Sequence, residues 1–195
     1  MTRLCPDCFE IMREDQVFCD SCWIGSSGGV AVVTGSRDYT GVNVIEVALM
    51  THLPKIVIAG GASGADQIAE SLVGQWQKQE QPIIEPPTFE KFDANWEKYF
   101  RNAGPIRNSE MLGRAEELRD RFGYRPIVLA FHPQLVKSKG TRNCVKQALE
   151  RGIEVRLYAK HDYPPGSNGL GVEITVDIFN KGHLRGGDRP ILPKS

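Results

Sequence analysis

The stretch Lys55–Glu70, KIVIAGGASGADQIAE, is the strongest indication of the fold. Four apolar residues lead into two glycines, a third glycine follows at Gly64, and apolar residues then recur at helical spacing. A strand that passes through a glycine-rich turn into a helix commonly forms a phosphate-binding cradle, because backbone amides and the helix N-terminus both favour an anion. The turn matches neither the dinucleotide pattern GxGxxG nor the P-loop pattern GxxxxGK[ST]. The sequence around it must therefore indicate what it binds.

Short apolar runs alternate with helical patterns on both sides of this stretch. The strands are expected in 30–33, 55–61, 82–87, 125–132 and 153–158. The helices are expected in 42–53, 63–79, 92–100, 105–122 and 140–152, and Pro105 is expected as a first helical residue. This alternation predicts an α/β fold with a parallel sheet of about five strands and helices on both faces. Alternation in 171–179 predicts one strand of a late hairpin.

Composition limits the class of protein. The 195 residues allow one ordinary domain and a small appendage, and 41% hydrophobic residues are enough for a packed core. The 24 basic and 24 acidic residues cancel, which argues against a general affinity for nucleic acid. No apolar run approaches the roughly 18 residues of a membrane span, and the N-terminus has no apolar signal region. We expect a soluble, cytoplasmic protein with no membrane partner.

Four of the five cysteines lie in the first 22 residues, in the pattern C-x2-C-x10-C-x2-C formed by Cys5, Cys8, Cys19 and Cys22. Each C-x2-C pair lets one tight turn present two thiolates, and two such pairs suit a tetrahedral zinc ion. Two disulfides or a redox pair are the alternatives. Four cysteine ligands leave no position for water, so the zinc would be structural. We therefore predict a zinc ribbon over 1–25, whose acidic surface favours a protein contact over DNA.

Polar or glycine-rich residues follow the predicted strands, where α/β sheets bind ligands. They occupy 34–38, 60–66 and 132–141, and the helix start 104–110 adds a fourth group. Arg37 and Arg107 could make bidentate phosphate contacts. Asp66 has two open roles: it stabilises the first turn of its helix, or it accepts from a ribose hydroxyl. Asp38 is either an ordinary turn residue or a similar acceptor.

The segments VVTGSRDYT, IVIAGGASGADQIAE, AGPIRNSEML, VLAFHP and KGTRNCVKQALERGIEV together resemble the SLOG superfamily, in particular its YspA-type branch. The superfamily also includes DprA-type proteins and LOG-type nucleotide phosphoribohydrolases. The resemblance implies a Rossmann-like domain over 30–160, followed by an extension over 161–195. It also implies a nucleotide-derived ligand, a setting in defence, conflict or mobile elements, and a homo-oligomer.

LOG-type enzymes carry the motif PGGxGTxxE and an arginine on a preceding helix. By resemblance, Arg107 matches that arginine, and Gly140 and Thr141 match the GT pair. The position of the glutamate falls on Cys144, whose neighbours suggest a small buried core thiol. Cleavage of a glycosidic bond needs a carboxylate, which Glu110 or Asp66 would have to supply.

Three functions follow as hypotheses. The first is binding of a nucleotide-derived molecule without catalysis, the second is a LOG-like hydrolase that uses Arg107 and Glu110, and the third is DprA-like nucleic-acid binding. Basic residues near the site support the third hypothesis, and a solvated helix face explains them equally well. The predicted ligand-binding residues are Thr34, Gly35, Ser36, Arg37, Asp38, Gly60, Gly61, Ala62, Ser63, Gly64, Asp66, Arg107, Asn108, Lys139, Gly140 and Thr141.

Overall fold

The computed structural model describes residues 3–4, 11–12, 29–80, 85–159, 172–174 and 179–180. The strands of the main sheet are β1 (Val30–Gly35), β2 (Ile56–Ala59), β3 (Thr88–Lys91), β4 (Pro126–Phe131), β5 (Glu154–Tyr158) and β6 (Val172–Glu173). The α-helices are α1 (Val42–His52), α2 (Ala65–Trp76), α3 (Trp96–Tyr99), α4 (Ala103–Phe122) and α5 (Gly140–Glu150). Short 3-10 helices lie at Phe100–Asn102 and Leu135–Lys137. Arg3–Leu4 pairs antiparallel with Ile11–Met12.

The main sheet has the strand order β3-β2-β1-β4-β5-β6. The first five strands are parallel, and β6 is antiparallel to β5. The predicted α/β fold with five parallel strands and helices on both faces is therefore confirmed. The order of the parallel strands is that of doubly wound sheets, and it changes direction between β1 and β4. Ligands of such sheets bind in the crevice outside the carboxyl ends of the strands at this switch point.

The central strand β1 explains why the sheet is covered on both sides. Val30 and Val32 pack into a core formed with α4 and α5, whereas Ala31 and Val33 pack with α1 and α2. All four side chains are fully buried. Because side chains alternate between the two faces of a strand, a continuous apolar run fits only a strand with a core on each side.

Three elements differ from the sequence predictions. The strand predicted in 82–87 is replaced by the edge strand Thr88–Lys91, and residues 85–87 have no regular structure. Prolines explain this shift, because they cannot donate a hydrogen bond to the neighbouring strand. Residues 81–84 lie outside the described part. The helix expected in 92–100 is a single turn, Trp96–Tyr99. Helix α4 begins at Ala103 rather than at Pro105. The helix accommodates Pro105 in its first turn because the amides of that turn have no acceptor within the helix.

The ends of the chain are described only in part. Strand β6 lies in the predicted late strand and pairs antiparallel with β5. The predicted units 1–25 and 161–195 fall mostly outside the described residues. Of the helices that are described, none has the length and apolar character needed to cross a bilayer.

Candidate functional site

The loops that follow β1 and β2 touch each other at Gly64. This residue has a φ of 76°, and a Cβ added to it would lie 2.2 Å from the carbonyl oxygen of Ser36 and 2.6 Å from that of Arg37. The amide of Ala65 also donates to the Ser36 carbonyl at 3.4 Å. Both the backbone conformation and the lack of space restrict this position to glycine. The glycine turn of residues 60–66 is thus fixed against the β1 loop.

The end of β1 is packed equally closely. A Cβ on Gly35 would lie 2.4 Å from Cβ of Ala65 and 2.7 Å from the carbonyl oxygen of Phe131. Gly35 therefore lets the first residue of α2 approach the ends of β1 and β4. This close packing lies at the switch point of the sheet, where the strand order predicts a ligand crevice.

A cavity of about 500 Å³ opens beside these two loops. Arg37 and Asp38 are exposed at its edge, and Arg37 has no ion-pair partner within the described ranges. The residues that line it are Arg37, Asp38, Tyr39, Thr40, Val42, Ser63, Gly64, Gln67 and Ile68. Two of the predicted groups, the β1 loop and the glycine turn, therefore share one cavity. Gln67 was not among the predicted residues, although its place in the first turn of α2 follows from the helical spacing.

Asp66 lies beneath the glycine turn and is only 4% exposed. Its Oδ2 accepts from the amide of Gly60 at 3.1 Å and from the amide of Ala62 at 3.3 Å. Burial raises the pKa of Asp66 to about 6, although Arg107 and the two amides oppose the shift. The Oδ2 oxygen of Asp66 is thus used to hold the turn in shape.

Arg107 reaches the same turn from α4. Its Nη1 donates to the carbonyl oxygen of Gly60, and a Cβ on Gly60 would overlap the guanidinium, at 1.8 Å from Nη1. The Nε atom of Arg107 is buried without a hydrogen-bond partner among the described residues. Gly60 therefore donates to Asp66 and accepts from Arg107, so both of its backbone groups are used inside the protein.

The remaining amides of the turn are differently placed. Those of Gly61, Ser63 and Gly64 have no acceptor in the described part of the chain. Gly61 has a φ of 66°, and a Cβ there would lie 2.4 Å from Cε of Lys91 and 3.0 Å from Oδ1 of Asp93. The turn thus divides into two bonded amides and three open ones. The glycine pattern alone could not separate them.

Three predicted residues on α4 and α5, namely Asn108, Gly140 and Thr141, form a separate group. Asn108 is buried, and its Nδ2 donates to the carbonyl of Gly140 at 3.3 Å and to Oδ1 of Asn143 at 3.0 Å. The buried amide of Thr141 donates to Oγ of Ser138 at 3.1 Å. The bonds of Asn108 join the two helices to each other, and the bond of Thr141 is local to the start of α5. None of them reaches the glycine turn.

Two further predicted residues, Lys139 and Glu110, are exposed. Lys139 immediately precedes α5. Within the described ranges, no ion pair joins Glu110 to Arg107. Arg107 is thus bonded to the glycine turn, whereas Glu110, three residues later on α4, is exposed and makes no bond to the turn.

Cys144 is fully buried in the core between α4, α5 and the sheet. Burial and, to a lesser extent, the nearby Asp66 raise the pKa of its thiol to about 12, although Arg107 and a hydrogen bond with Thr34 act in the opposite direction. A thiol with this pKa is protonated at neutral pH and is not a nucleophile. Nδ1 of His132 accepts from the amide of Gln134 at 3.0 Å. Cys144 is therefore a core residue beneath the site, as its neighbours in the sequence predicted.

Metal binding can be judged only within the described ranges. There, no group of three or more His, Cys, Asp or Glu side chains is placed to hold a metal ion. The predicted zinc ligands Cys5, Cys8, Cys19 and Cys22 lie outside those ranges.

Comparison with known proteins finds a phage relative. No protein-family model matches the chain, and no solved structure matches it significantly. The Gene 61 protein of Mycobacterium phage D29 is 31% identical over 129 residues, which cover 64% of this chain and 91% of the phage protein. Identity at this level over nearly the whole relative indicates a common fold. The chain belongs to the same protein family as the Gene 61 protein of Mycobacterium phage D29.

Proposed function

We propose that the chain binds a nucleotide or a nucleotide-derived small molecule at the carboxyl edge of β1 and β2. The observation that carries this proposal is the combination of the exposed Arg37 with open amides in the glycine turn. The amides of Ser63 and Gly64 belong to residues that line the same cavity as Arg37, and the open amide of Gly61 lies in the same turn outside that lining. Open amides before a helix N-terminus and an unpaired guanidinium are the donors that a phosphate needs. We assign the phosphate to these four residues.

The second anchor in this proposal is Asp38. Its carboxylate lines the same cavity as Arg37 and is exposed, so it has room to accept from a ribose hydroxyl. Asp66 is buried and its Oδ2 already accepts two amides. Of the two acidic residues considered from the sequence, Asp38 is the better candidate for the sugar. A phosphate and a ribose on one loop pair would identify a nucleotide.

We favour binding over hydrolysis because the position of the LOG-type glutamate holds no carboxylate in this chain. Cys144 stands where LOG-type enzymes have a glutamate, and it is buried and protonated. Glu110 is exposed and makes no hydrogen bond or ion pair with Arg107. Stabilising an oxocarbenium-like state needs a carboxylate beside the sugar. A phage relative is compatible with the mobile-element setting that the SLOG resemblance implies.

Calorimetric titration of the purified chain tests the proposal. The ligands are the four nucleoside 5′-monophosphates, NAD, ADP-ribose and cyclic dinucleotides. We expect at least one of them to bind. Arg37→Ala should weaken the affinity for that ligand by about 10- to 100-fold, because it removes a charge-assisted contact with the phosphate. Arg121→Ala removes an exposed arginine near the C-terminal end of α4 and is the matched control.

Two results would contradict the proposal. One is the absence of binding for every ligand, and the other is equal affinity of wild type and Arg37→Ala. Chromatography of the same mixtures for free base separates binding from hydrolysis. Release of base that is lost in Arg107→Ala would replace the binding proposal with the LOG-like one.

We also propose that Cys5, Cys8, Cys19 and Cys22 bind a structural zinc ion. Leu4 pairs with Ile11, so the chain between the two paired strands contains the first C-x2-C. A hairpin that carries two cysteines in its connection is typical of zinc ribbons. Metal analysis of the purified chain should give one zinc per molecule. Cys5→Ser should lose most of it, and a zinc content below one tenth per molecule in the wild type would rule the proposal out.

A further inference from the structure

The segment 92–102, between β3 and α4, exposes two large aromatic side chains. Trp96 is 52% exposed and Phe100 is 73% exposed. Phe100 also has a φ of 47°, in the left-handed region that bulky side chains rarely adopt. Backbone strain of this kind persists where the surrounding structure fixes it, and such places are often binding sites. The segment is therefore a candidate for recognition.

The beginning of this segment touches the glycine turn. Strand β3 is parallel to β2, so the residues after it emerge at the same edge of the sheet as the turn. Lys91 and Asp93 are the side chains that a Cβ on Gly61 would meet, at 2.4 Å and 3.0 Å. The aromatic segment and the proposed phosphate site are thus adjacent along one edge.

Trp96 lies next to the first turn of α4, the helix that carries Arg107. Its ring lies 3.7 Å from where a Cβ on Gly104 would be. Gly104 precedes Arg107 by three residues on α4, so the two share one face of the helix. Arg107 in turn donates to the carbonyl of Gly60. Trp96, Gly104, Arg107 and Gly60 therefore form a continuous series from the exposed ring to the turn.

We propose that the base of the bound nucleotide stacks on Trp96, so that this residue selects ligands that carry a nucleobase over sugar phosphates. This inference rests on the proposed function. An exposed indole face suits a base, because aromatic stacking requires only a planar π system. Trp96 is not among the residues predicted from the sequence, and its exposure next to the first turn of the Arg107 helix is what identifies it.

The charges of the segment favour the base of a small molecule over a polynucleotide. Asp93 and Glu97 offset Lys98 and Arg101, so the segment has no net basic charge along which a phosphate backbone could run. Proteins that bind single strands combine stacking residues with a basic groove. Only the first of these two features is present in residues 92–102.

The test compares two probes on one set of variants. Each nucleoside 5′-monophosphate carries a base, whereas ribose 5-phosphate offers the same sugar and phosphate without one. We expect the nucleotide that binds to do so at least tenfold more tightly than ribose 5-phosphate. Trp96→Ala should remove this difference and leave the affinity for ribose 5-phosphate within twofold of wild type. Trp96→Phe keeps a ring and should retain most of the difference.

The control is Phe122→Ala, which removes an aromatic side chain of the same 52% exposure at the far end of α4. It should leave both affinities unchanged. Equal binding of both probes by the wild type, or an unchanged preference in Trp96→Ala, overturns the stacking proposal while the phosphate site stands. Failure of these probes and also of NAD, ADP-ribose and the cyclic dinucleotides to bind overturns the proposed function and the stacking proposal together. Circular dichroism of each variant establishes that a lost affinity does not come from unfolding.

Discussion

The site has two layers that contain similar residues and use them differently. The floor consists of Thr34, Asp66, Arg107 and Cys144, and the rim consists of Arg37, Asp38 and the amides of Gly61, Ser63 and Gly64. In the floor, Asp66 and Arg107 hold the two sides of Gly60. In the rim, Arg37 is exposed and unpaired within the described ranges, and the three amides are open.

The difference between the layers follows from burial. A charged group that is buried away from water needs hydrogen-bonding partners, so the floor residues Asp66 and Arg107 bond to the turn above them. Exposed groups keep their water and can exchange it for a ligand. An arginine and an aspartate occur in each layer, and only the surroundings decide whether they support the fold or bind. Changes to the floor should therefore alter stability first, and changes to the rim should alter affinity first.

The largest expected effect comes from Gly64, a rim residue whose backbone also packs tightly against the β1 loop, so that a change there alters stability before affinity. Gly64→Ala would place a methyl group 2.2 Å from the Ser36 carbonyl while keeping a φ of 76°. Because backbone atoms on both sides cannot move away easily, we expect the free energy of unfolding to fall by roughly 4 kcal/mol. Urea unfolding followed by circular dichroism measures it.

Gly74→Ala is the matched control for this substitution. Gly74 lies within α2, and an added Cβ would meet nothing within 4 Å. Alanine in a helix is favoured over glycine by about 0.5–1 kcal/mol, so this variant should be slightly stabilised. Equal effects of the two substitutions would mean that the loops of β1 and β2 are not in close contact.

The second effect concerns the floor and depends on pH. The folded protein holds the proton of Asp66 with a pKa of about 6, against an ordinary value of 3.8. Because the folded state binds this proton more tightly than the unfolded chain, the contribution of Asp66 to stability falls as pH rises through this window. The stability of the wild type relative to Asp66→Asn should drop by up to about 3 kcal/mol between pH 4 and pH 7.

Urea unfolding of both proteins at four pH values in this range tests the sign as well as the size. Asp38→Asn, which changes an exposed carboxylate of the rim, is the control. Parallel stability profiles for wild type and Asp66→Asn would show that the Asp66 carboxyl is not held in a buried environment. If the stability of the wild type relative to Asp66→Asn rose with pH, folding would lower the pKa of Asp66, and Asp66 would not be the buried carboxyl of the floor.

The fold was largely predictable from sequence because its strands are buried on both faces. Runs such as Val30–Val33 and 126–131 are apolar throughout, and helical periods separate them. The edge strand Thr88–Lys91 could not be predicted in the same way. It is short and partly exposed, so it lacks the apolar run that marks the central strands.

The position of the site was predictable from the sequence, whereas its division into a floor and a rim was not. The strand ends that carry glycine and polar residues do meet, as parallel strands require. Which amides of the turn are bonded depends on Asp66, whereas the carbonyl of Gly60 is bonded by Arg107, which comes from a helix more than forty residues away. Long-range hydrogen bonds of this kind leave no local pattern. Trp96 was missed for the same reason, since its exposure is a property of the folded chain.

The smallest expected effect distinguishes a floor residue from a catalytic one. Cys144 is fully buried with a thiol pKa of about 12, so iodoacetamide should not alkylate it in the folded protein at pH 8. The Cys144 peptide should be modified after unfolding in urea, which mass spectrometry detects in the same sample. Cys144→Ala should cost only about 1–2 kcal/mol of stability and change nucleotide affinity less than twofold. Because the floor supports the turn without touching the ligand, alkylation of the native thiol, or loss of binding in a folded Cys144→Ala, would place Cys144 in the rim.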